Sequence, residues 1–410
     1  MKPKITRLHC AGVIGPRGTA IKGADAILIR DGSITAVGSY RQISARAPEA
    51  EPLDHSDSYA VGGLVNAHDH LLFRRSRLSM ARHFAQPCDL QLAFGLASML
   101  RSLAEGVTAV RDMGAPRDLA GKIAQVAGSR AFPAPAVATC LKPITVPNGP
   151  GLALSLAVES EAEGREAVAR MADQGAKFVK VFASTDGADT RQPVLSEDIL
   201  AAVCRAAERR QLMVVAHATT RPSIMACLRA GVRCIEHGVE LDAPAAAQMV
   251  QVGAWFVPTL SGFAEIACRG SAWGRPPHVV SYFSSLLETH RRAFEYALES
   301  GVRYAVGTDS LGTMAMEMRM MLDYGASLEQ VMRAATVNGA ELLGISASHG
   351  LMAAGAPADL ALLPSDPSGS PIALARPTAA MRGGVLYQTD ELGNLLNSQF
   401  ATVADEWPIA

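Results

Sequence analysis

The chain has 410 residues, 49% of them hydrophobic and 19% charged, with a formal net charge of −1. That is ordinary for a globular protein with a sizeable core, arranged as one large or two smaller domains, and it gives no basis for nucleic acid or an anionic membrane surface as a partner. No apolar run approaches the roughly 18 residues needed to span a bilayer, and Met1 to Thr6 leads into no apolar signal segment, so a cytoplasmic location is expected.

Residues 1 to about 60 read as short strands. Ala26–Arg30, Asp31-Gly32 and Ser33–Gly38 give a strand, a tight turn and a strand, because Asp-Gly between apolar runs supplies the positive φ of a hairpin. The segment is too small to bury a core alone. Its expected partners are the apolar run Ala358–Leu363 and the strand, glycine turn and strand of Ala380–Tyr387. Residues 1–60 and 350–400 are therefore expected to form one small β-sandwich domain, flanking a central domain over 61–349. The polar, mixed tail after about 388 carries no pattern that places it.

The centre alternates strands and helices. The run Gly63-Leu64-Val65-Asn66-Ala67-His68-Asp69-His70 is the first strand. A helix over about 88–104, with Leu92, Leu96, Met99, Leu100 and Leu103 on one face, leads to Val107–Asp112. Ala136–Cys140 and Phe178–Phe182 follow. A helix over Glu197–Arg210, with Ser196 as N-cap, leads to Leu212–His217. A helix over Pro222–Ala230, ended by Gly231, leads to Cys234–His237. Ala254–Pro258, a helical region over about 279–300, and Arg303–Asp309 close the series. Eight such α/β units suit a (β/α)₈ TIM barrel, with the open doubly wound sheet as competitor. No internal repeat of solenoid period is present. The seven cysteines are odd in number and form no C-x-x-C pair, which predicts free buried thiols in a reducing compartment.

In a barrel, active residues sit at the C-terminal ends of the strands. His68 and His70 lie two apart, so a strand projects both from one face, where two neutral imidazoles can reach one ion. His217, His237 and Asp309 each end a later strand. Singly, each histidine could be a hydrogen-bonded core residue and Asp309 a helix N-cap. Lys180 lies between Val179 and Val181, in a segment buried on both faces. There it either pairs with an acid or loses its proton. A neutral amine can add to carbon dioxide, giving a carbamate with two oxygens able to bridge two cations.

These residues carry a resemblance. The chain resembles the amidohydrolase superfamily, in particular its carbamylated-lysine binuclear branch of dipeptidase- and prolidase-like enzymes, related to imidazolonepropionase. The likeness spans nearly the whole chain: Gly63 to His70, Gly106 to Gly114, Phe178 to Val181, Ala216-His217, Ile235 to Gly238, Gly307 to Ser310 and Ala335 to Ala340. It implies that His68, His70 and Asp309 hold one divalent metal ion and that His217 and His237 hold a second. It also implies that carbamylated Lys180 and a hydroxide bridge the two ions, and that Asp309 shuttles the proton of that water to the leaving group. Zn²⁺ is the expected metal, with Mn²⁺, Co²⁺ and Fe²⁺ also compatible with the ligand set. The branch often forms homo-oligomers, so a homo-oligomer acting on a small-molecule substrate is expected.

The sequence departs from the pattern around the substrate. Ala-His-Ala-His is Ala216-His217-Ala218-Thr219 here, and the Gly-Gly after the lysine is replaced by Ser184-Thr185-Asp186-Gly187. A Gly-Gly-His loop is replaced by Val146–Gly151, and Gly62 stands where a proline is usual. The leading expectation is a hydrolase that cleaves the C–N bond of a dipeptide-like amide, an N-acyl amino acid or a cyclic amide. A mononuclear deaminase or cyclic-imine hydrolase, and an ester, lactone, carbamate or phosphotriester hydrolase on the same centre, are the enzymatic alternatives. A non-catalytic binding protein would be marked by a lost ligand, and all six are present. Lys142, Arg111, Arg221 and Arg275 are the cations available for a substrate carboxylate, each with a structural or surface role as its ordinary alternative. Trp255, Phe256 and Trp273 are candidates for pocket walls.

Overall fold

Each apolar run of the centre becomes a short strand, and the element that follows returns the chain so that the next strand pairs parallel to its neighbour. The computed structural model describes residues 4–76, 78–185, 194–345, 348–369 and 371–399. Three of the central strands, Leu64–Asp69, Val107–Asp112 and Ala136–Thr139, form one parallel sheet. Val179–Phe182, Val214–Ala218, Cys234–His237, Trp255–Val257 and Arg303–Tyr304 form the second. Two strands the sequence does not announce, Ile144–Thr145 and Leu156–Ala157, extend the edge of that sheet. At two residues each, they are too short to show a period.

Backbone hydrogen bonds also link these two sheets to each other. The Ala67 N–H donates to the Val306 carbonyl at 2.8 Å, and the Lys177 N–H to the Thr139 carbonyl at 3.0 Å. One buried apolar cluster draws on every strand region of the series, with Val65, Ala67, Ala109, Ala138, Phe178, Val215, Cys234, Val257 and Ala305 among its members. The last strand stops at Tyr304 instead of reaching Asp309. Thr308 and Asp309 instead donate their N–H groups to the His68 carbonyl, at 3.0 and 2.9 Å.

The helices follow the sequence reading closely. They include Cys88–Ala104, Glu197–Arg209, Arg221–Ala230 and Pro277–Ser300. Ser196 accepts the Ile199 N–H as N-cap, and Gly231 ends its helix at φ 104°. Both chain ends enter one continuous seven-stranded sheet. Its order is Val385–Gln388, Ala379–Arg382, Leu360–Leu363, Glu51–Gly62, Ile5–Val13, Ala26–Arg30 and Ser33–Gly38. The unplaced tail forms the helix Thr389–Gln399, whose Leu392 packs with Leu100 and Leu103. All seven cysteines are free, but Cys88 and Cys268 are exposed instead of buried, one at the first position of the helix Cys88–Ala104 and the other in the last turn of the helix Leu260–Arg269. No helix among the described residues is long and apolar enough to cross a membrane.

Candidate functional site

The site begins with Asn66. Its Oδ1 accepts the backbone N–H groups of His68 and Thr308, both at 3.2 Å, and its Nδ2 donates to Thr308 Oγ1 at 2.8 Å. This pins the end of the first strand to the segment that leaves the last. Gly307 permits the approach, since a Cβ there would lie 2.7 Å from the His68 Cβ and collide with Val257. Asp309 then lies beside both histidines. Its Oδ1 is 3.9 Å from His68 Nε2 and 3.8 Å from His70 Nε2. Those gaps are too long for hydrogen bonds, and they are of the size that two ligand bonds of about 2.0–2.2 Å to one shared cation would span. His68, His70 and Asp309 form a three-residue candidate metal cluster whose ligand atoms lie within 4.8 Å of one another.

The tautomers suit that role. His68 Nδ1 donates to Glu236 Oε2 at 2.6 Å, and Glu236 Oε1 accepts from Arg111 Nη2 at 2.6 Å. His237 Nδ1 donates to Thr259 Oγ1 at 2.7 Å, while that hydroxyl donates to the Pro258 carbonyl. Both imidazoles therefore keep their Nε2 lone pair. Burial, reinforced by neighbouring cationic and imidazole groups, holds both far below the usual histidine range. They are neutral at pH 7, as a metal ligand must be. The His237 ring is 4.9 Å from that of His68 and 4.5 Å from that of His217.

Lys180 is 1% exposed. It has no ion-pair partner among the described residues, and its Nζ lies 5.7 Å from the centre of the Phe182 ring. Burial pushes its pKa down, against the pull of Glu236 and Asp309. His237 and Asp309 both adopt positive φ, 69° and 54°, as does Thr259 at 55°. Such a conformation costs on the order of 1–3 kcal/mol per residue and concentrates at functional sites.

All six sequence-predicted residues line one cavity of about 250 Å³. Its other walls are mostly apolar, with Phe73, Phe182, Phe263 and Phe283 prominent. A larger hollow of about 480 Å³ nearby is lined by Arg75, Arg101, Glu105 and Trp273, and it holds none of the six. The expected walls fare differently. Trp255 and Phe256 are core residues, because their strand lies inside the second sheet, and Trp273 lines the larger hollow. Of the four cations, Arg111 is buried on Glu236 and Arg221 is paired with Asp242, so both have protein partners. Lys142 lines neither hollow. Arg275 lines the 250 Å³ cavity.

The sequence model of the amidohydrolase family matches residues 59–391. The chain belongs to the amidohydrolase family. This amidohydrolase is a hydrolytic enzyme acting on amide bonds. It is 27% identical over 347 residues to an uncharacterized protein of Mycobacterium tuberculosis, covering 80% of this chain and 81% of that one. It is 28% identical over 244 residues to the ochratoxinase of Aspergillus niger, covering 56% of this chain and half of that protein. A prolidase solved in complex with N-methylphosphonate-L-proline superposes with a TM-score of 0.83 at 26% identity, covering 94% of this chain and 99% of that one.

Two departures from the superfamily pattern meet in space. The Ser184 hydroxyl accepts the Thr219 N–H at 2.8 Å and lies 2.9 Å from Thr219 Oγ1. Ser184 opens the Ser184–Gly187 stretch expected to replace a Gly-Gly, Thr219 is the residue expected to replace a histidine, and here the two bond to each other. Asp186 and Gly187 lie outside the described residues. Glu236 and the four phenylalanine walls were not singled out from the sequence. Glu236 had one available signal: a carboxylate inside an apolar strand, which must find partners.

Proposed function

We propose that this amidohydrolase is a binuclear metal hydrolase cleaving the amide bond of a dipeptide-like substrate, an N-acyl amino acid or a cyclic amide. The convergence in one cavity of His68, His70 and Asp309 with a buried Lys180 that has no ion-pair partner among the described residues carries this reading. The backbone bonds that link the two parallel sheets and the apolar cluster drawn from all eight strand regions support reading the parallel strands as a closed (β/α)₈ barrel with the site at its mouth. His68, His70 and Asp309 would hold one divalent ion, and His217 and His237 the other. Carbamylated Lys180 would be a ligand to both, and the imidazole-rich set suits Zn²⁺.

Bound divalent ions supply a water of lowered pKa and polarise the scissile carbonyl. The chain's own residues do the rest. Glu236 and Thr259 fix the tautomers of His68 and His237. Asp309 would be the carboxylate that accepts a proton from attacking water and returns it to the departing amine, a poor leaving group as an anion. The phenylalanine walls seat an apolar group and exclude bulk water. The prolidase complex supports an amide substrate, since its ligand is an N-substituted proline.

A mononuclear centre keeps one observation in its favour: among the described residues, His68, His70 and Asp309 are the one group of three such side chains whose ligand atoms all lie within 4.8 Å of one another. The reading is tested by stripping the protein with a chelator and assaying an amide panel before and after adding Zn²⁺. Turnover that vanishes and returns with metal supports it. Full turnover in metal-free protein contradicts it.

A further inference from the structure

Arg275 is a cation on the wall of the cavity with no acid among the described residues to neutralise it. It lies between the turn Gly270–Trp273 and the helix Pro277–Ser300. Its Nη2 donates to the Leu78 carbonyl at a long 3.4 Å, and its Nε is buried with no hydrogen-bond partner. No carboxylate among the described residues pairs with it. The two fully buried arginines among the described residues differ: Arg74 reaches Glu105 and Asp69, and Arg111 reaches Glu236. For Arg275 burial acts alone and lowers its pKa from the usual guanidinium value. A guanidinium nonetheless stays charged at neutral pH. A part-buried charge with an unused donor is costly unless something supplies the anion.

Apart from Arg275, the six candidate ligands and Ser310, the rest of the cavity lining is apolar, with Phe73, Met80, Phe263, Ile266, Val279 and Phe283 in it. One cation among aromatic walls matches one anion attached to an apolar group. A guanidinium takes a carboxylate by paired, charge-assisted hydrogen bonds. We propose that Arg275 binds the free carboxylate of the substrate and selects N-acyl derivatives of apolar α-amino acids, dipeptides included. This rests on the amide-hydrolase reading above. In such substrates the carboxylate carbon is two bonds from the scissile nitrogen. A single fixed cation then also sets which face of the amide meets the histidine cluster.

The test uses the zinc-loaded full chain and matched pairs that differ only in the carboxylate. The pairs are N-acetyl-L-phenylalanine with N-acetyl-2-phenylethylamine, and N-acetyl-L-leucine with N-acetyl-3-methylbutylamine. Wild-type kcat/KM is expected to favour each acid by about 10- to 100-fold, the worth of a charge-assisted bond pair. In Arg275→Met the KM for the acids rises and the acid-to-neutral ratio falls toward one. Arg275→Lys, which keeps the charge but loses the fork, falls between. Zinc content and thermal midpoint of each variant control for folding. Equal turnover of acid and neutral amide by wild type, or a preference that survives Arg275→Met, overturns the assignment and leaves the amide-hydrolase reading standing. Turnover of neither pair by the zinc-loaded enzyme overturns the assignment together with that reading for this substrate class.

Discussion

His68 Nδ1 and Glu236 Oε2 are joined by a 2.6 Å hydrogen bond, and both residues are almost wholly shielded from solvent. The bond sets which nitrogen of His68 faces Asp309. The same carboxylate neutralises Arg111 and accepts from Cys234 Sγ at 3.0 Å. Glu236 is thus a positioning residue that ties three strands beneath the cavity.

Glu236→Gln keeps one oxygen for these donors but loses the charge. Zn²⁺ affinity, measured by competition with a chromogenic chelator, should fall about 10- to 100-fold, the usual consequence of losing a partner behind a ligand. Glu236→Ala should do worse, because it leaves Arg111 charged, buried and unpaired, at a cost of about 3–5 kcal/mol. Unchanged zinc affinity in Glu236→Gln would show that His68 is oriented by other means.

Gly307 is where the last strand segment passes closest to His68. A Cβ there would sit 2.7 Å from the His68 Cβ and 3.0 Å from its N, with Val257 closer still. Two of these neighbours belong to the strand backbone or its root and cannot swing aside. Gly307→Ala should destabilise the fold by about 1–3 kcal/mol, the range for overpacking, and reduce zinc retention with it. Thermal denaturation and elemental analysis of one preparation check both. A variant as stable and as metal-rich as wild type would refute the steric account.

Glu317 makes the fold sensitive to pH. It is fully buried and accepts the N–H groups of Leu260 and Ser261, at 2.9 and 2.6 Å. It thereby caps the helix Leu260–Arg269, which has no side-chain cap of its own and which carries Gly262, Phe263 and Ile266 into the cavity wall. Burial pushes its pKa up from 4.5 to about 7, against the lowering effect of those bonds. Between these values the folded state holds a proton that the unfolded state has released. Stability from this group is therefore lost as pH rises from about 4.5 through 7, by on the order of 3 kcal/mol in full. Glu317→Gln should be less stable than wild type at pH 5, since an amide cannot accept both N–H groups as well. The deficit should shrink or reverse by pH 8. Thermal midpoints across that range read it directly, and parallel curves for the two proteins would refute it.

How far the site was legible in the sequence follows from what strand periodicity encodes. His68 and His70 were legible because residues two apart share a face, and both do reach Asp309. Lys180 stood out because an ammonium inside an apolar strand conflicts with its surroundings, and it is 1% exposed. Glu236 was hidden by the same rule. Alternation assigns it to the face opposite His237, yet both lie against His68. The positive φ of His237 turns that side chain back, and no local pattern announces such a turn. The phenylalanine walls arrive from helices and loops far apart in the chain, and their convergence is a property of topology alone. The terminal helix Thr389–Gln399 escaped notice because Leu392 and Leu396 are a narrow apolar stripe in a polar segment.

The proposed two-ion centre depends on Lys180. The direct measurement is the metal content per chain of wild type and Lys180→Ala, both grown with zinc and bicarbonate and analysed at matched concentration. Close to two ions in wild type and a loss to one or fewer in Lys180→Ala is the predicted result. One ion in wild type with no second gained in excess zinc, or two ions in both proteins, would contradict it.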